Sequence, residues 1–324
     1  MGPLKILVTG DKGFVGQETV KILIGEGHLV YGYDLMDNLD IRDHGQLDNY
    51  CMVNGIQRIL HLAAIARFAD ADKDPMTAHD TNVLGTRNVA LVAQKYHIPV
   101  VYASTGSVYM PIKHDAKPPI TEEFAAQGNS TYGVTKYQGE LYIRKFASPW
   151  IILRYAHLYG KEKRMHGLIG GYIDRIQRGL APTLYGGKQS NDFTYIKDVA
   201  RANALALLAP WDKWNQTYNV GTGEELTAEE AGKIIIEAWN KANPKKAFKG
   251  KVDKKVGREV DPERFVYNID KAKIMLGFEP EYTFKKGLED MFQEAVPSSL
   301  LDKGDDHGGT PARTGSRPTA PARG

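Results

Sequence analysis

Cysteine is nearly absent: Cys51 stands alone in 324 residues. No intrachain disulfide is possible, and a chain of this length buries enough surface to hold a core without one. Long apolar runs are missing too. No stretch approaches the ~18 uninterrupted apolar residues of a membrane span. MGPLKILVTG enters strand-like sequence without the layout of a signal peptide, so a cytoplasmic protein is expected. Nor does one sign of charge dominate: 42 Lys and Arg against 39 Asp and Glu leave a formal net charge of +3, too small to point to nucleic acid. What remains, 42% hydrophobic and 25% charged residues, is the composition of a soluble globular protein. Beyond about Pro297 large apolar residues nearly vanish, and a segment rich in Gly, Pro, Ser, Thr and Arg cannot offset its own ordering entropy. Residues 295–324 are expected to form a disordered tail.

Against these absences stands a regular alternation of elements. KILV is followed by a glycine cluster, a helix-like GQETVKILIGEG and then HLVYGYD, strand-like and ending in an acid. This is the β, glycine turn, α, β unit of a parallel sheet. RILHLAA, the helical TNVLGTRNVALVAQKYH, PVVYAST, a helix containing TYGVTK and then WIILRYA continue the pattern. Strands alternating with helices of ~10 or more residues imply an α/β fold, a doubly wound parallel sheet of the Rossmann type with helices on both faces. We expect residues 1–159 to form this domain and 160–294 a smaller α+β region for substrate, with parts of 190–222 packing back onto the first. In the second region Thr227 and Glu230 make a capping box at the start of TAEEAGKIIIEAWNKA, while the lysine-rich KKAFKGKVDKKVGRE reads as a solvated connector.

TGDKGFVG places Gly10, Gly13 and Gly16 between a strand and a helix. Such a turn lets backbone N–H groups approach a pyrophosphate at the positive end of the helix. Asp34 closes the next strand. A carboxylate there accepts hydrogen bonds from the ribose hydroxyls and repels a 2′-phosphate, which favours NAD, although Lys12 keeps NADP open. Farther on, Tyr132 and Lys136 lie four apart, on one face of a helix. A tyrosine has a pKa near ~10; a neighbouring lysine cation and a positive nicotinamide ring are expected to lower it toward the range of a working base. No metal is expected.

Taken with HLAA at His61 to Ala64, NVLGT at Asn82 to Thr86, STGSVY at Ser104 to Tyr109 and RYAHLYG at Arg154 to Gly160, these motifs stand in the order found in extended short-chain dehydrogenase/reductases. The chain resembles the NAD-dependent epimerases and dehydratases of nucleotide sugars, of the UDP-galactose 4-epimerase type. DFTYIKDVARA, YNVGTG and NIDKAKIMLGFEPEYTFKKGLEDM extend the likeness to about Phe292. The resemblance implies that Gly10, Gly13 and Gly16 hold the NAD pyrophosphate with Phe14 and Val15 between them, that Asp34 binds the adenosine ribose, and that Asp40 and Ile41 flank adenine. Leu62, Ala63 and Ala64 would line the cofactor cleft, Asn82 would support it, and Tyr155 would lie near the nicotinamide. In the reaction it implies, Tyr132 takes a proton from a sugar hydroxyl as hydride passes to NAD. Thr105, with Ser104 and Ser107 as rivals, donates a hydrogen bond to that oxygen, and Lys136 also holds the nicotinamide ribose.

Dehydratases of this family usually carry an Asp-Glu pair directly after the catalytic Ser or Thr, whereas Gly106 and Ser107 follow Thr105 here. The resemblance therefore favours 4-epimerisation of a nucleoside diphosphate hexose. Keto-sugar reduction and 4,6-dehydration are the alternatives, and a non-catalytic NAD-binding sensor is the alternative of another class. Thr105, His157, Asn191 and Arg258 are the expected substrate contacts. Asn191 replaces the arginine usual before Asp-Phe and cannot supply its charge; His157 stands where asparagine is usual. Phe265 falls near the position that gates room for an N-acetyl group, favouring hexoses. Relatives often dimerise through the YxxxK helix and the one after NVLGT, so a homodimer is expected, with Val89, Leu91, Val92, Leu141 and Ile143 available to that interface or to the core. No nucleic acid or membrane partner is expected.

Overall fold

The computed structural model describes residues 2–109, 119–161, 167–257 and 264–293; Arg258 and the tail 295–324 lie outside this set. The KILV run becomes β1 (Lys5–Thr9), buried from Ile6 onward, and the glycine turn after it starts α1 (Phe14–Gly25). β2 (Leu29–Tyr33) leads to a 3-10 turn capped by Asp34, and α2 (His44–Asn54) begins where the Asp43 carboxylate accepts the Gln46 amide. β3 (Arg58–His61) is followed by α3 (Phe68–Lys73) and by α4 (Pro75–His79), which has proline in its first turn and Asp74 as its cap. The helix expected from Thr81 is interrupted: a π-helical turn, Asp80–Gly85, precedes α5 (Thr86–Tyr96). Such a turn re-aims side chains without ending the helix, and here it delivers Asn82 to the site. β4 (Val100–Thr105), buried throughout, is followed by α6 (Thr131–Phe146), capped by Ser130, and by β5 (Trp150–Tyr155).

Then come β6 (His157–Tyr159), α7 (Gly167–Gln177), β7 (Thr183–Tyr185), β8 (Ser190–Asn191), β9 (Phe193–Tyr195) and α8 (Ile196–Leu208). The described chain continues with β10 (Gln216–Val220), β11 (Leu226–Thr227), α9 (Ala228–Ala242), β12 (Asp253–Lys255), β13 (Arg264–Phe265), α10 (Asp270–Leu276) and α11 (Phe284–Gln293). The lysine-rich segment departs from its expected role as a plain connector. Phe248 and Val252 pack against the core, and the exposed Asp253 to Lys255 pair in parallel with Thr183 to Tyr185, because backbone pairing at an edge tolerates any solvated side chain.

Six parallel strands form one sheet in the order β10-β5-β4-β3-β1-β2. Alternate residues of each strand serve opposite faces. Ile6, Val8, Leu60, Val101 and Leu153 pack toward α8 and α10, while Leu7, Ile59, Val100, Tyr102 and Ile152 pack toward α2 and α5. A separate cluster joins α7, α9 and α11. Between β2 and β3 the chain crosses from one side of β1 to the other, so the crevice at this switch point opens at the carboxyl ends of β1 and β3, where ligands bind in such sheets. Among the described residues, no helix is long and apolar enough to cross a membrane.

Candidate active site

Gly10 follows β1 with φ +72°, and a β-carbon on it would lie 2.9 Å from the Ala63 nitrogen. Glycine therefore serves both the left-handed backbone and the approach of the Leu62 to Ala64 segment. Gly13 caps α1, whose first turn, starting with Phe14, Val15 and Gly16, has neither a side-chain cap nor an acid, and a β-carbon on Gly16 would overlap the Gly10 carbonyl. The N–H groups of that turn remain available to an anion. Asp34, at the end of β2, accepts from the Met36 amide at 2.9 Å and the Lys12 amide at 3.3 Å. The Lys12 ammonium, the group that left NADP open, is paired with Asp37. Beyond Asp34, Asp40 is held by Arg42 at 2.6 Å, which keeps its carboxyl below the usual range, and Ile41 is buried on Gly85. This turn and its carboxylate fit a dinucleotide.

Behind the cleft wall runs a hydrogen-bonded chain that the sequence did not announce. The Thr86 hydroxyl donates to the Asn82 carbonyl at 2.7 Å, so it accepts from His61 Nε2 at 2.9 Å, and the Thr9 hydroxyl donates to His61 Nδ1 at 2.7 Å. These partners fix one neutral tautomer. Burial, and then the charge of Lys136, hold the His61 pKa well below its ordinary value. Thr9 in turn accepts from the Leu62 and Ala63 amides, both at 3.2 Å. The Asn82 side chain bonds both backbone groups of Ile65 and the Thr135 hydroxyl, tying the cleft wall to α6.

On α6, Tyr132 reaches the Thr105 hydroxyl at the end of β4; that hydrogen bond lowers its pKa while burial, the larger effect, pushes it up to about 12. Ser107 lies 3.3 Å from Thr105. Ser104 is turned the other way and donates to Glu140 at 2.6 Å. Lys136 is 2% exposed, its ammonium 4.1 Å from the centre of the Tyr102 ring, and burial lowers its pKa to about 7 against the opposing charge of Glu140. The expected picture of a lysine cation lowering the tyrosine thus needs correction. Burial disfavours both charges in the protein by itself, a cost that spacing along a helix does not reveal. Phe68, half-exposed, sets its ring edge-on against Tyr132 at 5.3 Å.

The model of the NAD dependent epimerase/dehydratase family matches residues 6–221. The putative UDP-glucose 4-epimerase of Methanocaldococcus jannaschii is 33% identical over 312 residues, 88% of this chain and 96% of that one. The chain belongs to the NAD-dependent epimerase/dehydratase family. Two solved structures agree in fold, each at 27% identity and covering 90% of this chain. They are UDP-glucose 4-epimerase from Thermotoga maritima with UDP-glucose (98% of that chain, TM-score 0.78) and its counterpart from Thermus thermophilus in complex with NAD (100%, 0.76). NAD is the cofactor of this family member. The family also holds dehydratases and decarboxylases, so membership alone does not fix the reaction.

On β6 the His157 ring is exposed and stands edge-on to Phe193 at 5.2 Å. Asn191 is half-buried in β8, between Leu226 and Phe265 of the flanking strands. Arg258 falls outside the described residues. Two motifs prove to be partners: the buried Asp192 carboxylate accepts from Thr222 N, Thr222 Oγ1 and Gly223 N at 2.7 to 2.9 Å, pinning the YNVGTG loop. Tyr155 donates to Asn203 of α8 at 2.5 Å, and Asn203 donates to Thr19 of α1, so the Tyr155 hydroxyl ties β5 to these two helices. Glu140, Phe68 and Asp11 are the neighbours of this site that sequence reasoning missed. For Glu140 the signal was present, four residues after Lys136 on the same helix face.

Proposed function

We propose that this chain is an NAD-dependent nucleotide-sugar epimerase, acting at C4 of a nucleoside diphosphate hexose through a transient 4-keto sugar. The observation that carries this reading is at Gly106. A β-carbon there would overlap the Tyr267 hydroxyl and the Phe265 ring, so the position beside Thr105 has no room for the carboxylate that a dehydratase sets there. Phe265 and Tyr267 are both buried, and with Val108 and Tyr109 they make a packed wall. That wall also supports a hexose over a bulkier N-acetylhexosamine. UDP is the preferred nucleotide because the relatives compared above are named for UDP-glucose.

In this mechanism Tyr132 accepts the proton of the sugar C4 hydroxyl and returns it after the sugar turns its other face, while Thr105 holds the same oxygen by a hydrogen bond. NAD, when bound, supplies the hydride acceptor and a positive ring that favours the Tyr132 phenolate. Lys136, one turn along α6, holds the nicotinamide ribose. Thr105, His157, Asn191 and Arg258 contact the substrate, and the protein acts in the cytoplasm as a homodimer.

A panel of nucleotide sugars incubated with and without added NADH tests the reading. UDP-glucose and UDP-galactose are expected to interconvert with no net change in NADH. Stoichiometric oxidation of NADH would instead make the chain a reductase, and loss of water would make it a dehydratase. Tyr132→Phe is expected to bind NAD and fold normally while turnover falls by about 10²-fold or more; substantial residual turnover would remove Tyr132 from its role.

A further inference from the structure

The glycine turn contains a residue that a phosphate-binding turn does not need. Asp11 follows Gly10, and its side chain lies across β2, where a β-carbon on Gly32 would stand 2.6 Å from Asp11 Cγ. Residues two apart in a strand face the same side, so Gly32 and Asp34 share a face. The Asp11 carboxylate fills the place that a side chain at position 32 would take, beside Asp34. Both oxygens of Asp34 have backbone donors. Asp11 is provided for differently: its carboxylate meets its own amide, and Oδ1 is buried with no hydrogen-bond partner. The nearby Lys12 ammonium is engaged by Asp37. Burial, and next the charge of Asp34, push the Asp11 carboxyl above its ordinary range, as expected for two neighbouring carboxylates.

We propose that Asp11 is a second specificity-determining carboxylate of the NAD site: lying beside Asp34, with the Lys12 ammonium engaged by Asp37, it adds negative charge where a 2′-phosphate would sit and strengthens the choice of NAD over NADP. The ribose is placed there by the carboxylate at the end of β2. Asp34 receives the ribose hydroxyls, and Asp11 acts on the 2′ position through its charge. The inference rests on NAD as the cofactor and is independent of which sugar reaction follows.

The test is calorimetric titration of the nucleotide-free full chain with NAD and, separately, with NADP, for the wild type, Asp11→Ala and the near-isosteric Asp11→Asn. Asp11→Ala removes the carboxylate, so its NAD affinity is expected to stay within about threefold while NADP affinity rises about tenfold or more. Asp11→Asn keeps an acceptor and loses the charge, so its NAD affinity is expected to stay within about threefold while NADP affinity rises about tenfold or more. Thermal melts of each variant check the fold, and if Asp11→Ala does not fold, Asp11→Asn carries the test through its NADP affinity. Unchanged affinities for both cofactors, or equal weakening of both, overturn the proposal, since a residue that only shapes the turn has no means of telling them apart. Because binding is read, a failure of the epimerase assignment leaves this result interpretable.

Discussion

Lys136 is a charged side chain placed where charge is expensive, which makes it a residue whose function and stability pull apart. Its ammonium is buried over the Tyr102 ring, and burial brings its pKa to about 7 from the ordinary 10.5. The unfolded chain keeps that proton up to about pH 10.5, whereas the folded chain releases it near 7. Below about pH 7 both states are charged and the folded state bears the full desolvation cost; between about 7 and 10.5 the unfolded state binds more protons, so stability rises with pH. Lys136→Met removes the charge and keeps the length. It is expected to abolish turnover yet raise stability by on the order of 2 kcal/mol near pH 6.5, a gain that fades toward pH 10. Urea unfolding at the two pH values measures it. A variant less stable than the wild type by the same amount at both would show that the lysine stem, and not its charge, dominates.

At the scale of elements, α6 is held in place by an acid rather than by its apolar face alone. Glu140 is fully buried and accepts from Ser104 at 2.6 Å, from Arg154 at 2.9 and 2.7 Å, and from Arg144 at 3.0 Å, so one carboxylate ties α6 to β4 and β5. Removing one partner of a buried pair leaves the other charge uncompensated, typically costing about 3–5 kcal/mol. Arg154→Met is expected to lose stability toward the lower end of that range, because Arg144 still pairs with Glu140, and the double variant Glu140→Leu/Arg154→Met to recover part of it, read as midpoints of urea unfolding. If the double variant were as damaged as the sum of the singles, the pair would not be coupled. This tie also marks the limit of what the chain discloses as text. The strands KILV and VVYAST, the capping box of α9 and the glycine turn are local patterns, and they stand in the structure as read. The Glu140 and Arg154 contact joins residues from two elements that no period connects. The π turn at Asp80–Gly85 looks like uninterrupted helix in sequence, and the pairing of Asp253 to Lys255 with β7 rests on backbone groups alone. In the site the same division holds. The spacing of Tyr132 and Lys136 was legible, but the burial that sets both pKa values comes from Tyr102, Glu140 and the cleft walls, which only the fold assembles.

Across the whole molecule, the apolar positions named for an interface separate into two groups. Val89, Val92 and Ile143 lie in the core under the sheet, whereas Leu91 is half-buried and Leu141 is 47% exposed on α6. Val134 lies two turns before Leu141 on the same helix face and is exposed as well. Apolar side chains gathered on one helical surface are characteristic of an interaction site, and a second copy of the chain docking the same surface would cover both by two-fold symmetry. The proposed homodimer therefore predicts a specific response. Leu141→Glu sets like charges against each other across the two-fold interface and is expected to weaken dimerisation by at least about tenfold, seen by sedimentation equilibrium as a shift toward the monomer. NAD affinity should hold, because Leu141 lies more than two turns of α6 beyond Tyr132 and away from the cofactor turn. A wild-type chain that sediments as a monomer across the micromolar range, or a Leu141→Glu variant as dimeric as the parent, would assign this surface to a different partner.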